Sequence, residues 1–131
     1  MKTRLLLFLI SILFLATSCT KQNDVTPNQT ILTTALASSW TTTDGGKTFS
    51  TFINTPEIDS YQNKYGGVLV YATYDGGASY EQVPEVYNGV AYSFTYSKGQ
   101  VEIDIQSANG VTAITPPGSI GIKIVLIASA P

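Results

Sequence analysis

The order of apolar and polar residues changes character twice along the chain. Residues 5–15 are apolar apart from Ser11, residues 20–30 are polar without an apolar period, and from residue 31 onward short apolar stretches recur between clusters of Gly, Pro, Asn and Asp. The clearest alternation lies near the C-terminus. Val90, Tyr92, Phe94 and Tyr96 interleave with Ala91, Ser93, Thr95 and Ser97, and Val101, Ile103 and Ile105 interleave with Glu102, Asp104 and Gln106. A period of two sends alternate side chains to opposite faces of a strand, so the larger residues of both stretches are expected on the core face. Ile120, Ile122, Ile124 and Leu126 predict a last buried strand by the same rule.

Further upstream the pattern predicts a strand over 37–43 carrying Trp40, and a strand over 47–54 with Phe49, Thr51 and Ile53 on one face and Phe52 on the other. Residues 68–74 form a nearly continuous apolar run, expected as a central strand covered on both faces. Residues 79–83 read as a strand stopped by Pro84, and residues 31–36 as either a strand or a short lead-in. The stretch from Thr55 to Lys64 predicts a helical turn or a long loop with Thr55 as its cap. Asp44-Gly45-Gly46, Asp75-Gly76-Gly77, Lys98-Gly99 and Asn109-Gly110 supply the turns, since Gly takes the positive φ that tight hairpins demand, and Pro116-Pro117-Gly118 excludes regular structure. About seven strands with this punctuation, and no amphipathic helix of length, predict a single all-β domain: an antiparallel β-sandwich, with a small β-barrel as the alternative.

The head of the chain carries different information. Lys2 and Arg4 precede the apolar run, which stops after roughly a dozen residues where a membrane span needs about 20. That is the layout of an export signal. It closes on Leu15-Ala16-Thr17-Ser18-Cys19, with the chain's one cysteine last. This tail resembles the lipobox of bacterial lipoproteins, although Ala16 stands where the usual lipobox has Leu and Leu15 stands one residue earlier. The small-x-small pattern of Ala16 and Ser18 also suits an ordinary signal peptidase cutting at the same bond. The resemblance implies a signal peptide over 1–18, a lipidated Cys19 opening a flexible linker over 19–30, and a sandwich domain over 31–131. Thr20, rather than Asp, after the cysteine implies a lipid-anchored outer-membrane location on either face. From Trp40 onward, Phe52-Ile53-Asn54-Thr55-Pro56, Gly67-Val68-Leu69-Val70-Tyr71, Val83-Pro84 and Ile124-Val125-Leu126-Ile127 also resemble the small β domains of uncharacterised bacterial envelope lipoproteins, some of which cap collagen-like stalks; no Gly-x-y stalk is present here.

Charge and composition then narrow the chemistry. Removing 1–18 takes away Lys2 and the only arginine, Arg4, leaving five lysines against nine acidic residues, a side-chain balance of −4. The chain has no His. Ser-His-Asp or Cys-His catalysis and His-ligated metals are therefore excluded, as is bidentate recognition of phosphate by Arg, and the acidic balance disfavours nucleic acid. The expectation is a non-enzyme without catalytic residues, whose contacts outside the membrane are with an envelope protein or a polysaccharide.

Three constellations remain. Thr42, Asp44, Gly46, Thr48 and Phe49 repeat in spacing as Thr73, Asp75, Gly77, Ser79 and Tyr80, and both resemble the Asp-box hairpin of sialidases and many β-propellers, a structural device in those families. The arginine cluster of a sialidase and the repeated blades of a propeller are both missing. Glu102 and Asp104 lie two apart on one strand face, a separation of roughly 6 to 7 Å that glycosidases could use, but their alternation with Val101, Ile103 and Ile105 is that of an ordinary solvated face. The oxygens of the two Asp-Gly-Gly turns, with Asp59, Glu81 and Glu85, are of the kind calcium takes, without EF-hand spacing; scattered acids on turns are usually only solvated, so no cofactor is expected, with bound calcium as the alternative. Among eight tyrosines, Tyr92 and Tyr96 are expected to pack in the core. Tyr61, Tyr65, Tyr74 and Tyr87 fall in or beside loops and are the candidate ligand-binding residues of an alternative reading, a carbohydrate-binding module.

Overall fold

The computed structural model describes residues 27–129; the signal segment, Cys19 and most of the linker lie outside the described residues. Eight strands are present: β1 (Gln29–Ala35), β2 (Thr48–Thr55), β3 (Gly67–Thr73), β4 (Glu81–Val83), β5 (Glu85–Tyr87), β6 (Val90–Ser97), β7 (Gly99–Ser107) and β8 (Ile120–Ile127). They form two four-stranded antiparallel sheets, in the orders β1-β8-β3-β4 (sheet A) and β2-β7-β6-β5 (sheet B). Neither sheet closes on itself. The fold is an all-β sandwich and not a barrel.

The core is built from the residues whose alternation is strictest. Val101, Ile103 and Ile105 of β7 face Ile120, Ile122, Ile124 and Leu126 of β8, with Phe49, Thr51 and Ile53 of β2 and Val68, Val70 and Ala72 of β3 beside them, all buried. Both central strands of this core, β7 and β8, are rich in β-branched residues, which suit a pleated surface covered on one face. Burying each such side chain contributes about 1.5 to 3 kcal/mol.

Several sequence expectations are corrected. Residues 37–43 do not form a strand: Ala37–Ser39 make a 3-10 turn, and only Thr41 bridges to Ser50. The chain must cross here from the top of sheet A to sheet B, and Trp40 fills that crossing, buried and donating its indole N–H to the Gly118 carbonyl at 3.2 Å. β3 is central but covered on one face only, since Leu69 and Tyr71 on its other face stay half-exposed. Residues 79–83 shorten to β4, and after the cis Val83-Pro84 peptide the chain joins the other sheet as the unexpected β5. Residues 29–35 are a strand, which starts two residues inside the segment expected as linker. Tyr96 lies at the far end of β6 and is exposed, whereas Tyr92 is buried as expected.

A short helix, α1 (Ser60–Tyr65), occupies the stretch between β2 and β3, and its cap is Asp59 rather than Thr55. Asp59 Oδ1 accepts the Gln62 N–H at 2.7 Å. Thr55 is instead fully buried at the end of β2, where its carbonyl accepts the Ile58 N–H at 3.0 Å. That turn drives Ile58 into the bottom of the core with no exposed surface, and the Ile58 carbonyl in turn accepts the Gly99 N–H at 2.8 Å.

Candidate functional site

The two sheets share a top and a bottom, and the strand registers fix which loop lies at which. At the bottom, Gln29 pairs with Leu126 and Gly67 with Ile127, and the Ala128 N–H donates to Asn28 Oδ1 at 3.0 Å. The chain therefore comes in and goes out at the same end, beside α1. At the top, Ala35 pairs with Ile120 and Thr73 with Gly121 in sheet A, and Thr48 pairs with Gln106 and Val90 with Ser107 in sheet B. Eight strand residues span about 26 Å, so the top lies that far from the point where residues 1–28 attach.

Both Asp-Gly-Gly turns are at the top, and they are the same structure twice. In the first, Asp44 Oδ1 accepts from Thr42 Oγ1 at 3.0 Å, Lys47 N at 3.0 Å and Thr48 N at 2.9 Å, while the Gly46 N–H donates to Thr42 Oγ1 at 3.0 Å. In the second, Asp75 Oδ1 accepts from Thr73 Oγ1 at 2.8 Å and Ser79 N at 3.0 Å, and the Gly77 N–H donates to Thr73 Oγ1 at 2.8 Å. Gly45, Gly46, Gly76 and Gly77 all have positive φ. Hydrogen bonds to a carboxylate favour its charged form. The Thr48 N–H and its neighbours hold Asp44 down at about 2, and the Ser79 hydroxyl and amide push Asp75 down as well. Asp44 Oδ1 and the Asp75 carboxylate are thus engaged within their own turns, and among the described residues no group of three or more acidic, Cys or His side chains is placed to hold a metal ion.

The loop from residue 108 to 119 completes the top. Asn109 Oδ1 accepts from the Val111 and Thr112 amides at 3.0 and 3.1 Å, and the Ile114 N–H donates to the Gly46 carbonyl at 2.8 Å. The Ala37 N–H donates to Ser119 Oγ at 3.0 Å. These bonds tie the loop to the first Asp turn and to the crossing from β1.

The four candidate tyrosines separate into two pairs. Tyr61 and Tyr65 lie on α1 at the bottom, with ring centroids 5.0 Å apart and exposures of 49% and 39%; the Tyr61 hydroxyl donates to the Ser129 carbonyl at 3.1 Å. Tyr74 and Tyr87 lie at the top, stacked at 4.3 Å with ring planes 4° apart, and half-buried. Tyr74 donates to Glu85 Oε1 at 3.0 Å and meets Tyr92 edge-on. Burial first, and the Glu85 bond second, hold the Tyr74 hydroxyl protonated well above the ordinary phenol range. Burial and a hydrogen bond with Glu81 push the Glu85 carboxyl up. The seven residues of β3 stand between the pairs, so the structure does not bring the four into one surface.

Glu102 and Asp104 point outward from the middle of sheet B, each half-exposed. Asp104 accepts a hydrogen bond from Ser50 Oγ on the neighbouring strand, and Glu102 stands between Phe52 and Thr95. They belong to the sheet's solvated face.

What the sequence reading missed is a notch on the outer face of sheet A at the top, with a volume of about 330 Å³. Leu32 and Thr34 of β1, Tyr80 after the second Asp turn, Ser119 and Gly121 line it together with Tyr74, the one of the four candidate tyrosines that reaches it. The signal for it was Gly121: a glycine inside a strand marks a place where something approaches closely or a side chain would obstruct. No protein-family model, no curated protein and no solved structure matches the chain.

Proposed function

We propose that this protein is a lipid-anchored component of the bacterial cell envelope, held in the outer membrane through Cys19, whose β-sandwich works by contact and not by catalysis. The observation that carries the reading is the opposition of the two ends. The chain enters at the bottom beside Asn28 and Gln29, while the ordered turns, the Tyr74–Tyr87 stack and the notch crowd the top. A domain tethered in this way presents its most constructed surface away from the membrane.

The linker supports the same reading. From Cys19 to Gln29 ten peptide steps reach at most about 35 Å, enough to let the domain stand clear of the lipid headgroups. Several acyl chains on one cysteine hold far more firmly than a single chain, because each buried methylene adds about 0.8 kcal/mol. Catalysis has little to work with: the chain has no His, the turn aspartates accept hydrogen bonds from their own turns, and Glu102 and Asp104 lie on the outer face of sheet B.

The test is acylation and location together. Expressed from its full sequence in a bacterial host, the protein should take up labelled palmitate and fractionate with the outer membrane. Cys19→Ser should lose both label and membrane association while leaving the far-ultraviolet spectrum of the sandwich unchanged. An unlabelled, fully soluble wild-type protein would sink the proposal.

A further inference from the structure

The register of sheet A produces the notch. Gly121 on β8 lies between Thr34 on β1 and Thr73 on β3, and with no side chain it drops the floor of the outer face. One row below, Leu32, Lys123 and Tyr71 rise again across the same three strands. Ser119 and the backbone of Gly76 and Gly77 close the space at the top. The volume, about 330 Å³, falls at the small end of the range for ligand sites.

Its walls have a particular chemistry. Tyr80 supplies an aromatic wall, and its ring is fixed from the side of Tyr71 by the Lys123 ammonium, 4.0 Å from the Tyr80 centroid and 4.5 Å from that of Tyr71. Lys123 itself does not line the notch, and no charged side chain does. Ser119 Oγ accepts the Ala37 N–H, which leaves its own O–H free to donate into the space, and the Thr34 hydroxyl is exposed beside it. Leu32, 67% exposed, adds an apolar edge.

An aromatic wall, two hydroxyls, an apolar rim and no charge suit a neutral ligand that is itself half apolar and half hydroxylic. A pyranose ring has that character, with a C–H face that lies on an aromatic ring and hydroxyls around its edge. An acidic or phosphorylated ligand would need a cation, and among the described residues Lys123, the ammonium beside the notch, is held between two rings. We infer that the notch binds a neutral hexopyranose unit of a polysaccharide, with Tyr80 as the stacking wall and Thr34 and Ser119 as the hydrogen-bonding groups. This rests on the contact reading above and gives that contact its partner class. Of the four loop tyrosines Tyr74 also lines the notch, whereas Tyr61, Tyr65 and Tyr87 do not.

The experiment is calorimetric titration of the full-length protein in detergent with hexasaccharides of α-1,4-glucose, β-1,4-glucose, β-1,4-mannose and β-1,4-N-acetylglucosamine, with hexagalacturonate as the acidic probe. At least one neutral series should bind saturably and hexagalacturonate should not. Tyr80→Ala and Thr34→Phe should each weaken that binding by about tenfold or more. Thr34 is exposed on an edge strand, so Thr34→Phe fills the notch without touching the core and remains informative if Tyr80→Ala fails to fold. Absence of binding to every neutral hexasaccharide, binding of the acidic probe with equal affinity, or binding unchanged in Thr34→Phe would each overturn the inference. Palmitate labelling at Cys19 reads the tether alone, so a labelled protein that binds no sugar rejects the notch and leaves the contact reading in place.

Discussion

Asp44 and Asp75 each replace missing backbone pairing in a turn with bonds to a carboxylate oxygen. Their folded-state pKa values lie below the ordinary carboxylate value of 3.8, that of Asp44 at about 2. A depressed folded pKa contributes stability that is complete above the unfolded value and is lost as pH falls through the folded one. The contribution of these two turns to the thermal midpoint should therefore hold from neutral pH to about 4 and decline towards about 2, and Asp44→Asn with Asp75→Asn should flatten that decline relative to the wild-type curve when melting is followed against pH. Gly121 makes a second residue-scale prediction. A Cβ there would meet Thr73 Cγ2 at 2.5 Å, and Thr73 cannot swing aside without releasing its Oγ1 bonds to Asp75 and the Gly77 N–H. Gly121→Ala should cost about 1 to 3 kcal/mol in chemical denaturation, the usual range for overpacking; a neutral result would mean that the turn gives way more easily than its bonds suggest.

Among the elements, the connection between β2 and β3 is more demanding than its polar sequence implies. Ile58 is as buried as Ile124 at the centre of sheet A, although it lies in a turn. Ile58→Ala should cost about 2 to 5 kcal/mol, the range of a core strand position and well above that of an ordinary loop residue; urea unfolding compared with Ile124→Ala would check it. This connection also explains which parts of the fold were legible from the sequence. The strands β2, β6, β7 and β8 were readable because one face is buried and one is wet, so alternation survives in the residue order. The region 37–43 misled because Trp40 and three threonines have strand propensity while the chain there is needed to cross between sheets, and tertiary demand overrides propensity. β5 was hidden because three residues after a proline leave no period to detect. The repeated Thr-x-Asp-Gly-Gly turns were legible to the level of the bonding residues, since their geometry is local. The notch was not, because Thr34, Tyr80 and Gly121 are brought together by sheet register, which no single stretch of sequence encodes.

At the scale of the whole molecule, the order of strands in sheet A links the first element described to the last. β8, the final strand among the described residues, does not lie at an edge: it is inserted between β1 and β3 and pairs with each through seven of its eight residues. The partner of Ile31 is Ile124, and the partner of Val70 is the same residue. Until residues 120–127 are present, β1 has no neighbour in its sheet and β3 has only the three residues of β4. Long-range pairings of this kind form late, because the closure of a long loop must precede the contacts that reward it. A chain emerging N-terminus first could pair sheet B once residue 107 was present, but its sheet A would stay open until β8 emerged, and then close around it. Under the export proposed above, such a delay would be useful: the polypeptide would remain slack enough to be passed along while the work of transport lasts, and would acquire its rigid form only when the crossing is complete.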